Sequence, residues 1–153
     1  MNNIRKNTQA GRSMIEMLAV LMIMGILTIG VMAGFNQMLD KYNAGKMHTD
    51  IMSISSEVVN LYAWQRSYPA INMQELCEND IFPDGCTDDN KALNPFDGTY
   101  KLTTSDTEQT LTIEADGVAP NACKDLCLRE WDNLYTAPNC SDCDNGKFSV
   151  TFN

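Results

Sequence analysis

The sequence predicts an α+β fold: a long N-terminal helix, membrane-spanning in its first half, packed on a small antiparallel sheet stapled by disulfides. Three observations carry that expectation. Residues 17–35 form a run of nineteen with no charge and no proline. Apolar residues then continue at helical spacing to about residue 65, and beyond that come three period-two segments together with all six cysteines. With 153 residues the chain suffices for one domain plus a membrane segment, and is too short for two cores.

The apolar run reads MLAVLMIMGILTIGVMAGF. At about 1.5 Å per residue, a helix of that length matches the ~30 Å hydrocarbon layer. Arg5, Lys6 and Arg12 precede it, and by the positive-inside bias they keep the N-terminus cytoplasmic and send the remainder across. A secretory signal peptide has a shorter apolar core and a small-residue cleavage site behind it. Ala33-Gly34 loosely resembles such a site, but the run is longer than such a core and the helical pattern continues through it. Met38, Leu39, Tyr42, Met47, Ile51, Ile54, Val58, Leu61 and Tyr62 follow, and from Met47 onward steps of three and four dominate. That is the pattern of a helix with one buried stripe. Gly45 weakens the middle by about 1 kcal/mol relative to alanine, and Tyr68-Pro69 ends the helix. One helix from about Ser13 to Ser67, roughly 80 Å long, is expected.

Residues 68–153 form the head. Asn72, three residues before Glu75, reads as a capping box opening a short helix through Leu76 and Cys77. Pro83-Asp84-Gly85 makes a turn before Cys86, so a Cys77–Cys86 bridge closes a small loop. Strands are expected at residues 100–104, 110–115 and 147–152, the first two joined as a hairpin through SDTEQ. Between the last two lies a Cys-rich insertion, residues 119–146, with a helix expected from Asn121 to about Leu134 and Leu126, Trp131 and Leu134 as its apolar contacts. Cys123 and Cys127 share a face of that helix and pair with Cys143 and Cys140, the crossed pairing remaining open. Six cysteines allow about fifteen connectivities. Zinc held by Cys123, Cys127, Cys140 and Cys143 is the competing reading, but an exported domain matures where thiols are oxidised.

Charge is unevenly placed. Residues 1–50 carry a net charge of +2 and the rest −11. So acidic a head lacks a basic patch for phosphates, which argues against nucleic-acid binding. Enzymatic chemistry finds no support either. The single histidine, His48, falls on the polar face of the long helix, and neither a P-loop nor a dinucleotide fingerprint occurs. Asp84, Asp88 and Asp89 lack the EF-hand pattern and read as a solvated acidic loop, and Trp64 and Trp131 read as core. No cofactor and no metal are expected.

Glu16 is the anomaly, an acid at the start of an apolar run, where deep burial costs about 2.5–3.5 kcal/mol. The segment Gly11-Arg12-Ser13-Met14-Ile15-Glu16-Met17-Leu18 resembles the class III signal of type IV pilins and pseudopilins. In that family a short basic leader ends in glycine, an aspartic membrane peptidase cuts after it, and glutamate is the fifth mature residue. The resemblance implies cleavage between Gly11 and Arg12 and an assembly role for Glu16, paired with the N-terminal amine of a neighbouring subunit. It implies residues 1–11 as cleaved leader, 12–67 as the long helix with its membrane segment at about 14–35, and 68–153 as the extracytoplasmic head. Arg12 stands where the family usually has an apolar residue and carries its N-methyl group, and Gly25, Gly30 and Gly34 stand in a helix where many members have a proline. The Asn94-Pro95-Phe96-Asp97-Gly98 segment resembles the Pro-aromatic-Gly turn before the first head strand of many pseudopilins.

The function so implied is that of a structural subunit of a type IV pilus-like filament. The implied partners are like subunits, a prepilin peptidase, and an inner-membrane assembly platform with its ATPase. The subunit is expected as a single-pass inner-membrane protein with a periplasmic head, and after assembly as part of an extracellular or periplasmic filament. A pseudopilin or minor pilin of a type II secretion or DNA-uptake machine is the alternative within the family. A single-span anchored ligand-binding module that does not polymerise is the alternative outside it, and a zinc-binding regulator is more distant still.

Overall fold

The structure is a computed structural model describing residues 10–62, 71–105 and 109–153, and of residues 10–13, 32 and 33 the backbone alone. The expected helix end at Ser67, the Tyr68-Pro69 stop, Trp64, the centre of the SDTEQ turn and residues 1–9 of the leader lie outside the described residues. The chain divides between Met38 and Leu39 into two units.

The first unit is the N-terminal part of helix α1, Ala10–Tyr62. Its described side chains from Met14 onward are all exposed, including Met17, Leu21, Ile26, Ile29 and Phe35. Gly25, Gly30 and Gly34 have open space where a Cβ would stand. Thr28 turns its hydroxyl back to donate to the Met24 carbonyl at 2.7 Å, so its polar group is satisfied within the helix. Among the described residues, α1 is the helix long and apolar enough to cross a membrane.

The second unit begins at Leu39 with the rest of α1. Here one stripe is buried: Ala44, Met47, Ile51, Ile54, Val58 and Tyr62. The steps of three and four put these six on one face. Helix α2 is Met73–Glu78, and its cap Asn72 accepts from the Gln74 N–H at 3.0 Å. Strands β1 (Ala92–Leu93), β2 (Thr99–Ser105), β3 (Thr110–Ala115), β4 (Leu134–Asn139) and β5 (Phe148–Phe152) form one antiparallel sheet in the order β1-β2-β3-β5-β4. Period-two alternation sends Tyr100, Leu102, Leu111, Ile113, Ala115, Phe148, Val150 and Phe152 inward, into one core with the α1 stripe. Outward lies a cross-strand row of Thr103, Thr112, Thr151 and Thr136, with Thr112 and Thr151 hydroxyls 3.0 Å apart.

The insertion departs from expectation. Helix α3 is Pro120–Cys127, not a helix reaching Leu134, and Leu134 opens β4 instead. Asn121 is not the cap: Ala119 holds that position without a side-chain bond, and Pro120 starts the helix, where its missing N–H costs nothing. Past Cys127 the chain turns to seat Trp131 in the core, its indole N–H donating to the Leu126 carbonyl at 3.0 Å. Asn133, at φ 58°, then reverses the chain into the sheet. Strand β4 lacks alternation and contains Pro138, and its register with β5 shifts twice. Those features suit an edge strand and protect it from pairing with another chain.

The proline turn joins β1 to β2 rather than preceding a first strand. Asn94 is 4% exposed, and both ends of its side-chain amide are engaged. Its amide donates to the Asp116 carbonyl at 2.7 Å, and its Oδ1 accepts from the N–H groups of Phe96 and Gly98 at 2.9 and 3.1 Å. Gly98 is obligatory, because a Cβ there would lie 2.0 Å from the Asp116 carbonyl oxygen.

Candidate assembly helix and disulfide-stapled head

The N-terminal unit carries the predicted cleavage and assembly residues. Gly11 and Arg12 lie in the first helical turn of α1, which runs on unbroken through Glu16. Glu16 follows Arg12 by four residues, one helical turn. Its carboxylate is exposed at the head of an apolar surface that continues to Met38. An apolar surface of that length fits surroundings of lipid tails or neighbouring helices.

In the head the cysteines pair as Cys77–Cys86, Cys123–Cys143 and Cys127–Cys140, with Cα separations of 5.8, 5.5 and 6.2 Å. The first closes the loop after α2, where the Cys86 backbone also bridges to Ala92. The other two tie the same face of α3 to the segment between β4 and β5, which includes a 3-10 turn at Cys143–Asn145. The sulfurs of Cys123, Cys127 and Cys143 lie within 4.8 Å of one another. All are consumed by disulfides, so the thiolates a zinc site needs are not present in this state.

The interface of α1 with the head holds a polar cluster that the periodicity does not reveal. Asp50, 6% exposed, takes a place on the buried face beside Met47 and Ile51. Its Oδ2 and the Tyr100 hydroxyl are buried with no hydrogen-bond partner among the described residues. Burial raises the Asp50 carboxyl above its ordinary range, Asp84 raises it further, and Lys46 opposes both. Tyr100 is raised well above the phenol range by burial, with Asp50 and Asp84 adding to the shift. Lys46 reaches across to Asp84 at 2.5 Å, and that hydrogen bond raises the lysine. Asp84 is thereby engaged with an internal cation, and Asp89 lies 4.0 Å from Lys91.

His48 is less peripheral than a polar-face position suggests. Its ring centroid lies 4.4 Å from that of Trp131, and Nε2 is 2.9 Å from the Glu130 carbonyl oxygen. Beside it Arg129, held by Asp125 at 2.7 Å, places its guanidinium over Gly45, through which α1 continues. The outward face of the sheet bears an open polar cleft of about 450 Å³, lined by Lys101, Glu114, Asn139, Asp142, Lys147 and Ser149 among others.

Comparison with known proteins decides the family. The family model described as PilS N terminal matches residues 41–152. The chain belongs to this family of type IV pilins. The matched stretch is the head with its supporting half-helix, whereas the signal-like segment lies at residues 11–18, so two separate parts of the chain point the same way. Among curated proteins this pilin-family chain is similar to the major structural subunit of the bundle-forming pilus of Escherichia coli O127:H6 (strain E2348/69 / EPEC). The two are 30% identical over 97 residues, 62% of this chain and 50% of the relative. It is 29% identical over 98 residues to the toxin coregulated pilin of Vibrio cholerae serotype O1, covering 62% of this chain and 44% of that protein. The chain thus spans half or less of the length of these relatives. No solved structure matches it.

Proposed function

We propose that the chain is a structural subunit of a type IV pilus-like filament, assembled through α1. The observation that carries this reading is the contrast within one helix. From Met14 to Met38 its described side chains are exposed and almost wholly apolar, while further along it buries a regular stripe in a pilin-family head. In this reading residues 1–11 are a leader removed between Gly11 and Arg12. Residues of about 14–35 store the subunit in the inner membrane, with the N-terminus cytoplasmic and the head, 68–153, periplasmic. The same surface then becomes filament core. The new α-amino group of Arg12 is cationic near neutral pH and seeks Glu16 of a neighbour, and pairing two charges that are costly alone favours one axial register. Gly25, Gly30 and Gly34, open in the lone helix, admit the close approach of a second helix. A prepilin peptidase, an assembly platform and its ATPase are the machinery this route requires.

The test is Glu16→Val, scored by sheared-filament yield and electron microscopy beside membrane-fraction abundance. The expected result is a normal membrane level with filament yield reduced at least tenfold. Normal filaments from the variant would sink the register role. A mature mass that retains Met1, or that starts near Gly34, would remove the filament-subunit reading, and in the first case would leave an anchored module that does not polymerise. Processed protein found only as a scarce filament component would mark a minor pilin or pseudopilin.

A further inference from the structure

Two of the three disulfides are close enough to react with each other. The Cys127 sulfur lies within 4.8 Å of both sulfurs of the Cys123–Cys143 bridge. Access to the pair is uneven. Cys123 and Cys143 are buried at 0% and 2% exposure, Cys127 is half-buried, and Cys140 is exposed. Bridge Cys127–Cys140 therefore meets an external thiol first, at the Cys140 sulfur, and the sulfur it releases is the one beside the inner bridge.

The geometry points to an exchange site in which an external thiol, acting as a catalyst, interconverts the observed pairing with the crossed pairing Cys123–Cys140 and Cys127–Cys143. In the first step the attacking thiolate bonds the Cys140 sulfur, the Cys127–Cys140 bond breaks, and Cys127 leaves as thiolate. That thiolate then attacks Cys143, forming Cys127–Cys143 and releasing Cys123 as thiolate. Attack on Cys123 is disfavoured, because residues four apart on α3 project their Cβ atoms in parallel rather than toward one another. Finally Cys123 attacks Cys140 in the mixed disulfide, forming Cys123–Cys140 and returning the external thiol. Three bonds break and three form, with no net oxidation or reduction. The exchange changes which part of the segment between β4 and β5 each end of α3 holds, while Cys77–Cys86, on the other side of the sheet sequence, takes no part.

The sequence makes the pairing readable. Trypsin cuts after Lys124, separating Cys123 from Cys127, and a protease cutting before aspartate separates Cys140 from Cys143 at Asp142. The full chain in detergent is incubated with reduced glutathione, quenched with acid and N-ethylmaleimide, digested without reduction and mapped by mass. Peptides joining Cys123 to Cys140 and Cys127 to Cys143 are expected at pH 8. At pH 6 they should appear roughly 75-fold more slowly, as the thiolate fraction of a cysteine of ordinary pKa falls. The Cys77–Cys86 peptide should be unchanged. Cys127 recovered blocked beside an intact Cys123–Cys143 bridge would overturn the proposal. So would scrambling that draws in Cys77 and Cys86 equally, because that marks general unfolding.

Discussion

A carboxyl inside an apolar stripe, one oxygen of which has no hydrogen-bond partner among the described residues, makes the head's stability respond to pH. The charged groups acting on Asp50 come from two sides, Lys46 on its own helix and Asp84 in the loop before Cys86, and Asp50 in turn raises Tyr100 on β2. The folded-state pKa of Asp50 is raised by burial first and by Asp84 second. Its favourable contribution is therefore complete below the unfolded carboxyl value of about 3.9 and is lost as pH rises through the folded value. Asp50→Asn should remove this dependence and unfold at higher denaturant than wild type at pH 7, with the advantage vanishing near pH 4. Urea titrations at the two pH values check it, and parallel pH profiles would refute it. Gly98 sets a second test. Gly98→Ala drives a Cβ against the Asp116 carbonyl and disturbs the Asn94 bonds, so a loss of about 2–4 kcal/mol is expected in the same titration. These two residues differ in legibility. Asn-Pro-Phe-Asp-Gly announces its turn by residue type, whereas an acid at a stripe position reads as solvated until the fold buries it. The roles proposed for Gly11, Arg12 and Glu16 rest on the resemblance of residues 11–18 to a family signal, a local pattern that requires no tertiary contact.

Helix α1 shows how one element serves two environments, and the change lies in its pattern. Before Met38 apolar residues occur on every face, as lipid or a ring of like helices requires; after Ala44 they narrow to a stripe, as one packed head requires. Substitutions should separate the two. Ile54→Ala, fully buried, should destabilise the head by about 2–5 kcal/mol by denaturant unfolding. Ile26→Ala, 73% exposed, should leave head stability within about 0.5 kcal/mol while weakening filaments toward shear. Equal effects of the two on head unfolding would contradict this division. The same logic explains which elements the sequence discloses. The α1 stripe, β2, β3 and β5 are regular because each buries one face for its whole length. Strands β1 and β4 escape because edges are not built that way: β1 is two residues long, and β4 carries Pro138 and two register shifts. The helix expected to run from Asn121 to Leu134 is overextended because it takes Leu126, Trp131 and Leu134 as its apolar contacts, yet Trp131 reaches the core from a loop and Leu134 from a strand.

For the whole molecule, the head is small, strongly acidic and tied by three bridges whose sequence separations are 9, 20 and 13. Its core is one layer between a helix stripe and five short strands, and a domain of this size buries too little surface to carry large losses. Loop-closure entropy assigns about 2.5 kcal/mol to the shortest bridge and about 3 kcal/mol to each of the others. The last two overlap in sequence, so their contributions do not add in full. The like charges oppose compaction as well, with a net −11 beyond residue 50. Complete reduction should therefore remove most of the head's stability. In detergent, the far-UV helix signal of the apolar half of α1 should survive while near-UV signals from Trp131 and Tyr100 collapse. Added salt should restore part of the folded signal in the reduced protein by screening the acidic groups, and should have less effect on the oxidised protein. If the reduced head kept its near-UV spectrum and its cooperative unfolding, the core rather than the bridges would be holding it. The Cys127–Cys140 bridge would then be free to exchange at little cost to the fold.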